Sequence, residues 1–97
     1  MTYSFHPAAE SEYLEAVAFY EARRPGLGAS FLVEFERTLE SVCAAPHRFR
    51  VERLPDVRRA GLRRFPFAVL YRELSGGVQI LAVAHHRRLP GYWLARR

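Results

Sequence analysis

The chain contains no lysine, one cysteine and one tryptophan. The lone Cys43 excludes an internal disulfide and any cysteine-based zinc site, and its place in an apolar helical stripe makes it a core residue. No apolar run approaches the roughly 20 residues that a membrane helix requires. Met1 to Pro7 lack the basic patch and apolar core of a signal peptide, so the cytoplasm is the expected location. Internal repeats, low-complexity segments and linkers are absent as well. Without lysine, all 15 strongly basic side chains are arginines. A GC-rich genome that encodes arginine by default, rather than a need for bidentate binding, is the expected reason for that exclusivity, so the informative property is where the arginines fall.

They fall in one half. Residues 1–46 carry three arginines against seven carboxylates, a net −4, and residues 47–97 carry twelve against three, a net +9. Clustered positive charge of this size attracts phosphate backbones or acidic partner proteins, and arginine binds both bidentately. The remaining composition, 49% hydrophobic and 26% charged, is that of a globular protein, and 97 residues make one domain, 1–97. A domain of this size buries roughly 60–65% of the surface that its unfolded chain exposes.

Tyr3 and Phe5 alternate with polar neighbours, which predicts a short first strand. Pro7 suits a first helical position, and Tyr13, Val17 and Tyr20, flanked by Leu14 and Phe19, recur at helical spacing to about Arg24. The glutamates of this helix are expected to face water. Pro25-Gly26-Leu27-Gly28 breaks it, and a second helix follows from about Ala29 to Ala44 with Phe31, Leu32, Phe35, Leu39 and Val42 on one stripe. So short a turn predicts an antiparallel helical hairpin. After a polar connection, Pro46 to Asp56, come three strand patterns. Val57 to Phe65 places Ala60 and Leu62 on one face and Arg59, Gly61 and Arg63 on a wet, basic one. Phe67 to Leu74 and Val78 to His85 are joined by Ser75-Gly76-Gly77 as a hairpin, the last being apolar on both faces and therefore central. The expected class is α+β, in the order β-α-α-β-β-β, a mainly antiparallel sheet covered on one face by the helical hairpin.

The last strand runs into His85-His86-Arg87-Arg88-Leu89-Pro90-Gly91-Tyr92-Trp93, a density of reactive and anion-binding groups that packing does not require. Adjacent histidines on a strand point to opposite faces and no acid or thiol completes a ligand set, so no metal and no cofactor is expected. Arg63, Arg64, Arg72, Arg87 and Arg88 are expected to line a phosphate-binding concavity on the open sheet face, or to pair with Glu52, Asp56 and Glu73. The inventory suffices for ribonuclease chemistry: His85 or His86 as base or acid, Tyr92 as acid, Arg63 with Arg87 stabilising charge. Tyr92 and Trp93 either cap the sheet or anchor a partner.

Gly61-Leu-Arg-Arg-Phe-Pro-Phe-Ala-Val-Leu-Tyr-Arg-Glu73, Val78 to Val83 and the His85 to Trp93 segment resemble the RelE/ParE superfamily of bacterial type II toxins. His6-Pro7-Ala8-Ala9-Glu10, Phe19-Tyr20-Glu21 and Pro25 to Phe31 resemble its N-terminal half. The resemblance implies a growth-inhibiting toxin of the plasmid-stabilisation type. It would be held inactive by a cognate antitoxin whose C-terminal segment wraps the domain and is acidic where it meets the +9 half. It also implies two mechanisms. Ribosome-dependent mRNA endonucleases of the RelE-like branch carry an arginine after the aromatic that begins the middle strand, where this chain has Ala68. The ParE-like branch, which inhibits DNA gyrase by binding, needs no such residue and is the expectation, with RNA cleavage as the alternative and a non-toxic RNA-binding module third. Arg63, Arg64, Arg72, His86, Arg87, Arg88, Tyr92 and Trp93 are then the expected target-binding residues. If the protein is a ribonuclease instead, His85, Arg63, Arg87 and Tyr92 are catalytic.

Overall fold

A computed structural model describes residues 2–96. Its elements are β1 (Thr2–Phe5), α1 (Pro7–Arg23), α2 (Leu27–Ala44), a single 3₁₀ turn (Pro46–Arg48), β2 (Val51–Arg53), β3 (Val57–Gly61), β4 (Phe67–Leu74) and β5 (Gly77–His85). Helix α1 begins where His6 Nδ1 accepts the Ala8 N–H at 3.1 Å and Pro7 takes the first turn. It ends at Arg24, and Gly26 turns the chain with φ +90°, a conformation that favours glycine. Gly26 offers α2 no side-chain cap. Glu21 of α1 substitutes across the turn, accepting the Gly26 and Gly28 N–H groups at 3.1 and 3.0 Å. The two helices meet so closely there that a Cβ on Gly28 would lie 2.8 Å from the Val17 carbonyl oxygen.

The five strands form one sheet in the order β1-β5-β4-β3-β2, with β1 parallel to β5 and every other pair antiparallel. The predicted class and helical hairpin are found, with one strand more than expected. Val51–Arg53 lies in the segment expected to be a plain connection; all three residues are exposed at an edge, so they show no apolar alternation. The following strand stops at Gly61 rather than Phe65, because the chain must turn through Pro66 to enter β4.

Side chains from the helical hairpin and one sheet face form the main core around Phe31, Phe35, Leu39, Val69, Tyr71 and Ile80. Stacked and edge-on rings of Phe5, Tyr13, Tyr20, Phe65 and Phe67 extend it. The opposite sheet face is not the open, basic surface expected. Val57, Ala68, Leu70, Leu81, Ala82 and Ala84 make it apolar, and Trp93 with Tyr92 covers it from the C-terminal tail. A bulge at Leu81 aids this: Leu70 pairs with Ala82 but Tyr71 with Ile80, so Leu81 and Ala82 both turn to the tail side.

Candidate functional site

Strand β5 delivers His85 to the end of the sheet, where the chain reverses, the Arg88 N–H donating to the His85 carbonyl at 3.0 Å. Gly91, at φ +77°, then folds the tail back, and successive turns hold Tyr92, Leu94 and Arg96. The tail is fastened by a residue from the far end of the sequence. Glu12 of α1 accepts the Val83 N–H at 3.0 Å, the Tyr92 hydroxyl at 2.8 Å and both terminal nitrogens of Arg96 at 2.9 Å. Arg96 donates further to the Leu81 carbonyl at 3.0 Å. Arg88 lies 3.8 Å from the Glu12 carboxylate and stacks its guanidinium 3.8 Å above the Tyr92 ring.

Burial alone would raise the Glu12 carboxyl's pKa, but donation from Arg96, Val83 and Tyr92 outweighs it and holds the group below the usual carboxylate range. Burial and the neighbouring Glu12 push the Tyr92 hydroxyl far above the ordinary phenol range. Its proton is therefore committed to Glu12.

His85 is half-buried edge-on to Phe67 at 5.1 Å, and its Nδ1 accepts the Arg87 N–H at 3.0 Å. With Arg88, Ala16, Phe19, Tyr20 and Phe67 it lines a groove of ≈ 270 Å³ between α1 and the sheet end. His86, Arg87 and Arg88 are exposed beside it. Arg63 and Arg64 lie elsewhere, in the turn after β3. Glu34 of α2, 7% exposed, accepts both of their backbone N–H groups and the Arg64 Nε at 3.1 Å. Burial would again raise this carboxyl's pKa, and those donors lower it below the usual range. The turn is thereby fixed, and both side chains line an open concavity together with Arg37 and Arg48.

The family described as "ParE toxin of type II toxin-antitoxin system, parDE" matches residues 3–90. The chain belongs to the ParE toxin family. Among solved structures, nine chains match, including one titled "Chromosomal ParDE TA system from P. aeruginosa". That match has a TM-score of 0.74 at 18% identity, covering 88% of this chain and 95% of the other, and it shows a shared fold. No curated protein sequence matches.

In this ParE-family toxin the sequence-predicted site residues divide into separate places. His85, His86, Arg87, Arg88 and Tyr92 gather at the C-terminal corner, and Arg63 with Arg64 occupies the concavity beside α2. Arg72 belongs to neither: half-buried on β4, it donates to Gln79 at 2.9 Å. Trp93, expected to bind a target, is 5% exposed and packs on the sheet, where it supports the corner from beneath. The single concavity on an open sheet face is thus corrected, because the tail fills that face. None of these arginines pairs with Glu52, Asp56 or Glu73 among the described residues; Arg50 takes Glu52 and His47 takes Glu73. Sequence reasoning missed Glu12, Glu34, Arg96, Arg37 and Arg48. Glu12 was expected to face water with the other glutamates of α1, and only distant partners give it and Glu34 their roles. No helix is long and apolar enough to cross a membrane among the described residues.

Proposed function

We propose that this toxin inhibits DNA gyrase by binding it, and that a cognate antitoxin with an acidic C-terminal segment neutralises it. The observation that carries this assignment is Ala68. It is fully buried in the apolar layer beneath Trp93, at the position where RNA-cleaving relatives carry an arginine. An arginine there would have to open that layer, and a lost charge-stabilising donor lowers a cleavage rate by roughly 10²- to 10³-fold. Two further placements agree. The Tyr92 hydroxyl, the candidate acid, is held by Glu12, and Arg63 lines a different concavity from His85. The exposed groups at the corner, His86, Arg87 and Arg88, suit binding to an acidic surface.

Purified toxin in a gyrase supercoiling assay, run beside an in-vitro translation reaction, tests the assignment. The expected result is blocked supercoiling with ribosome-bound messages left intact. Codon-register cuts mapped by primer extension, with normal supercoiling, would refute it and make His85, Arg63, Arg87 and Tyr92 catalytic. Expression alone should arrest growth, and co-expression with the neighbouring antitoxin should restore it. Soluble toxin accumulating without any effect on growth would contradict the toxin's activity altogether.

A further inference from the structure

An open concavity of ≈ 800 Å³ lies beside α2, apart from the C-terminal corner. Arg37 comes from the exposed face of α2, Arg48 from the 3₁₀ turn, and Arg63 and Arg64 from the turn after β3. Only one carboxylate lines it. Glu34 is saturated by the Arg63 and Arg64 backbone and the Arg64 Nε. Arg37, Arg48 and Arg63 have no carboxylate within ion-pairing distance among the described residues. Three free guanidiniums therefore surround the space from three elements.

Two further donors face it. The Arg59 N–H bonds outward to the Arg50 carbonyl at 3.1 Å and the Leu62 N–H inward to Phe67 at 2.9 Å. By the alternation of an antiparallel strand, the Gly61 N–H points outward with that of Arg59, past the end of β2 and into the concavity. Ser41 adds a hydroxyl one turn beyond Thr38 on α2. The only aromatic wall is the half-buried Phe49 ring, with the Arg48 guanidinium 5.0 Å from its centroid.

We propose that this concavity binds the phosphate backbone of a single-stranded nucleic acid, with an unpaired base stacked on the Arg48 guanidinium, which itself lies over Phe49. Guanidiniums converging from several sides match a chain that repeats its negative charge, and a planar guanidinium backed by a phenyl ring suits a stacked base. An acidic peptide fits less well. A docked protein helix needs an apolar stripe to bury its own, and this concavity supplies one phenyl ring. The site gives the toxin a direct nucleic-acid contact whether or not gyrase is its target.

Fluorescence anisotropy of the full chain with labelled single-stranded DNA and with RNA of the same sequence tests this, the two arms showing which strand is preferred. Three phosphate contacts predict a slope of log affinity on log salt of roughly −2, and each arginine lost should reduce it by about 0.7. Arg37→Glu with Arg63→Glu should weaken binding by more than about tenfold at low salt. Arg23→Glu with Arg24→Glu changes the net charge equally outside the concavity and should weaken it far less. All four side chains are exposed, so thermal midpoints should stay close to that of the parent. Equal losses in the two double variants would show diffuse attraction and overturn the site. So would binding of ATP without either strand, or displacement of the strand by poly-glutamate at lower concentration than by unlabelled strand.

Discussion

Replacing Glu12 by alanine should unlatch the C-terminal tail. The carboxylate is the acceptor for the Val83 N–H, the Tyr92 hydroxyl and the Arg96 fork, and its side chain is only 12% exposed. Hydrogen bonds to a charged group contribute about 1.5–3 kcal/mol each, net of the bonds to water they replace, and removing one member of a buried ion pair costs about 3–5 kcal/mol because the partner is stranded. Arg96 is 17% exposed and can partly turn to water, so the lower figure applies, roughly 3 kcal/mol. For a domain of this length, 1 kcal/mol shifts the midpoint by about 4–8 °C, which predicts a fall of roughly 12–24 °C. The loss should begin at the tail. Trp93 is the only tryptophan, so its emission reports that event alone, and it should shift to the red in Glu12→Ala before the far-UV signal changes. Glu12→Gln, which keeps an acceptor but not the charge, should fall between the two. A midpoint within about 4 °C of the parent, with unchanged Trp93 emission, would refute the latch.

Glu34→Ala leaves the Arg63 and Arg64 N–H groups without their acceptor and should lower the unfolding free energy in urea by about 1–3 kcal/mol. Gly28→Ala drives a Cβ against the Val17 carbonyl and should cost about 1–3 kcal/mol by calorimetry, even though alanine is the better helix former. Glu12 and Glu34 both titrate below the usual range when folded, so their stabilisation is complete above the unfolded glutamate pKa of about 4.3 and is lost as pH falls through the folded values. The midpoint should therefore be flat from about pH 7 to 5 and drop steeply below about 4; a decline already present near pH 6 would contradict this assignment. Arg87→Ala should abolish growth inhibition with a change in stability within about 0.5 kcal/mol, since the side chain is exposed; a large midpoint loss would make it structural instead.

Much of the architecture is legible in the residues, because it is written in local periodicity. The α2 stripe, the Ser75-Gly76-Gly77 turn and the Pro25-Gly26 break each depend on neighbours a few positions apart. What periodicity cannot carry is partnership across the chain. Glu12 is joined to Tyr92 and Arg96, more than 75 residues away, and nothing near it distinguishes it from exposed Glu10 or Glu15. Strand β2 escaped notice for the opposite reason: with every side chain exposed it has no buried face to alternate with. The charge pattern was informative about which half is basic, but it could not separate two clusters. Only the fold shows that the Arg63 turn joins Arg37 from the acidic half while Arg88 stays with the tail.

Strand β1 has a single neighbour, β5, and α1 is fastened by Val83, Tyr92 and Arg96. During synthesis, α1 can pack on α2 early, but β1 has no strand to pair with and Glu12 lacks its donors until β5 and the residues after it emerge. Pairings of such sequence separation close slowly, and a chain lacking its end exposes unpaired strand edges. Closure of the sheet edge and of the Glu12 latch is consequently the last folding event rather than the first.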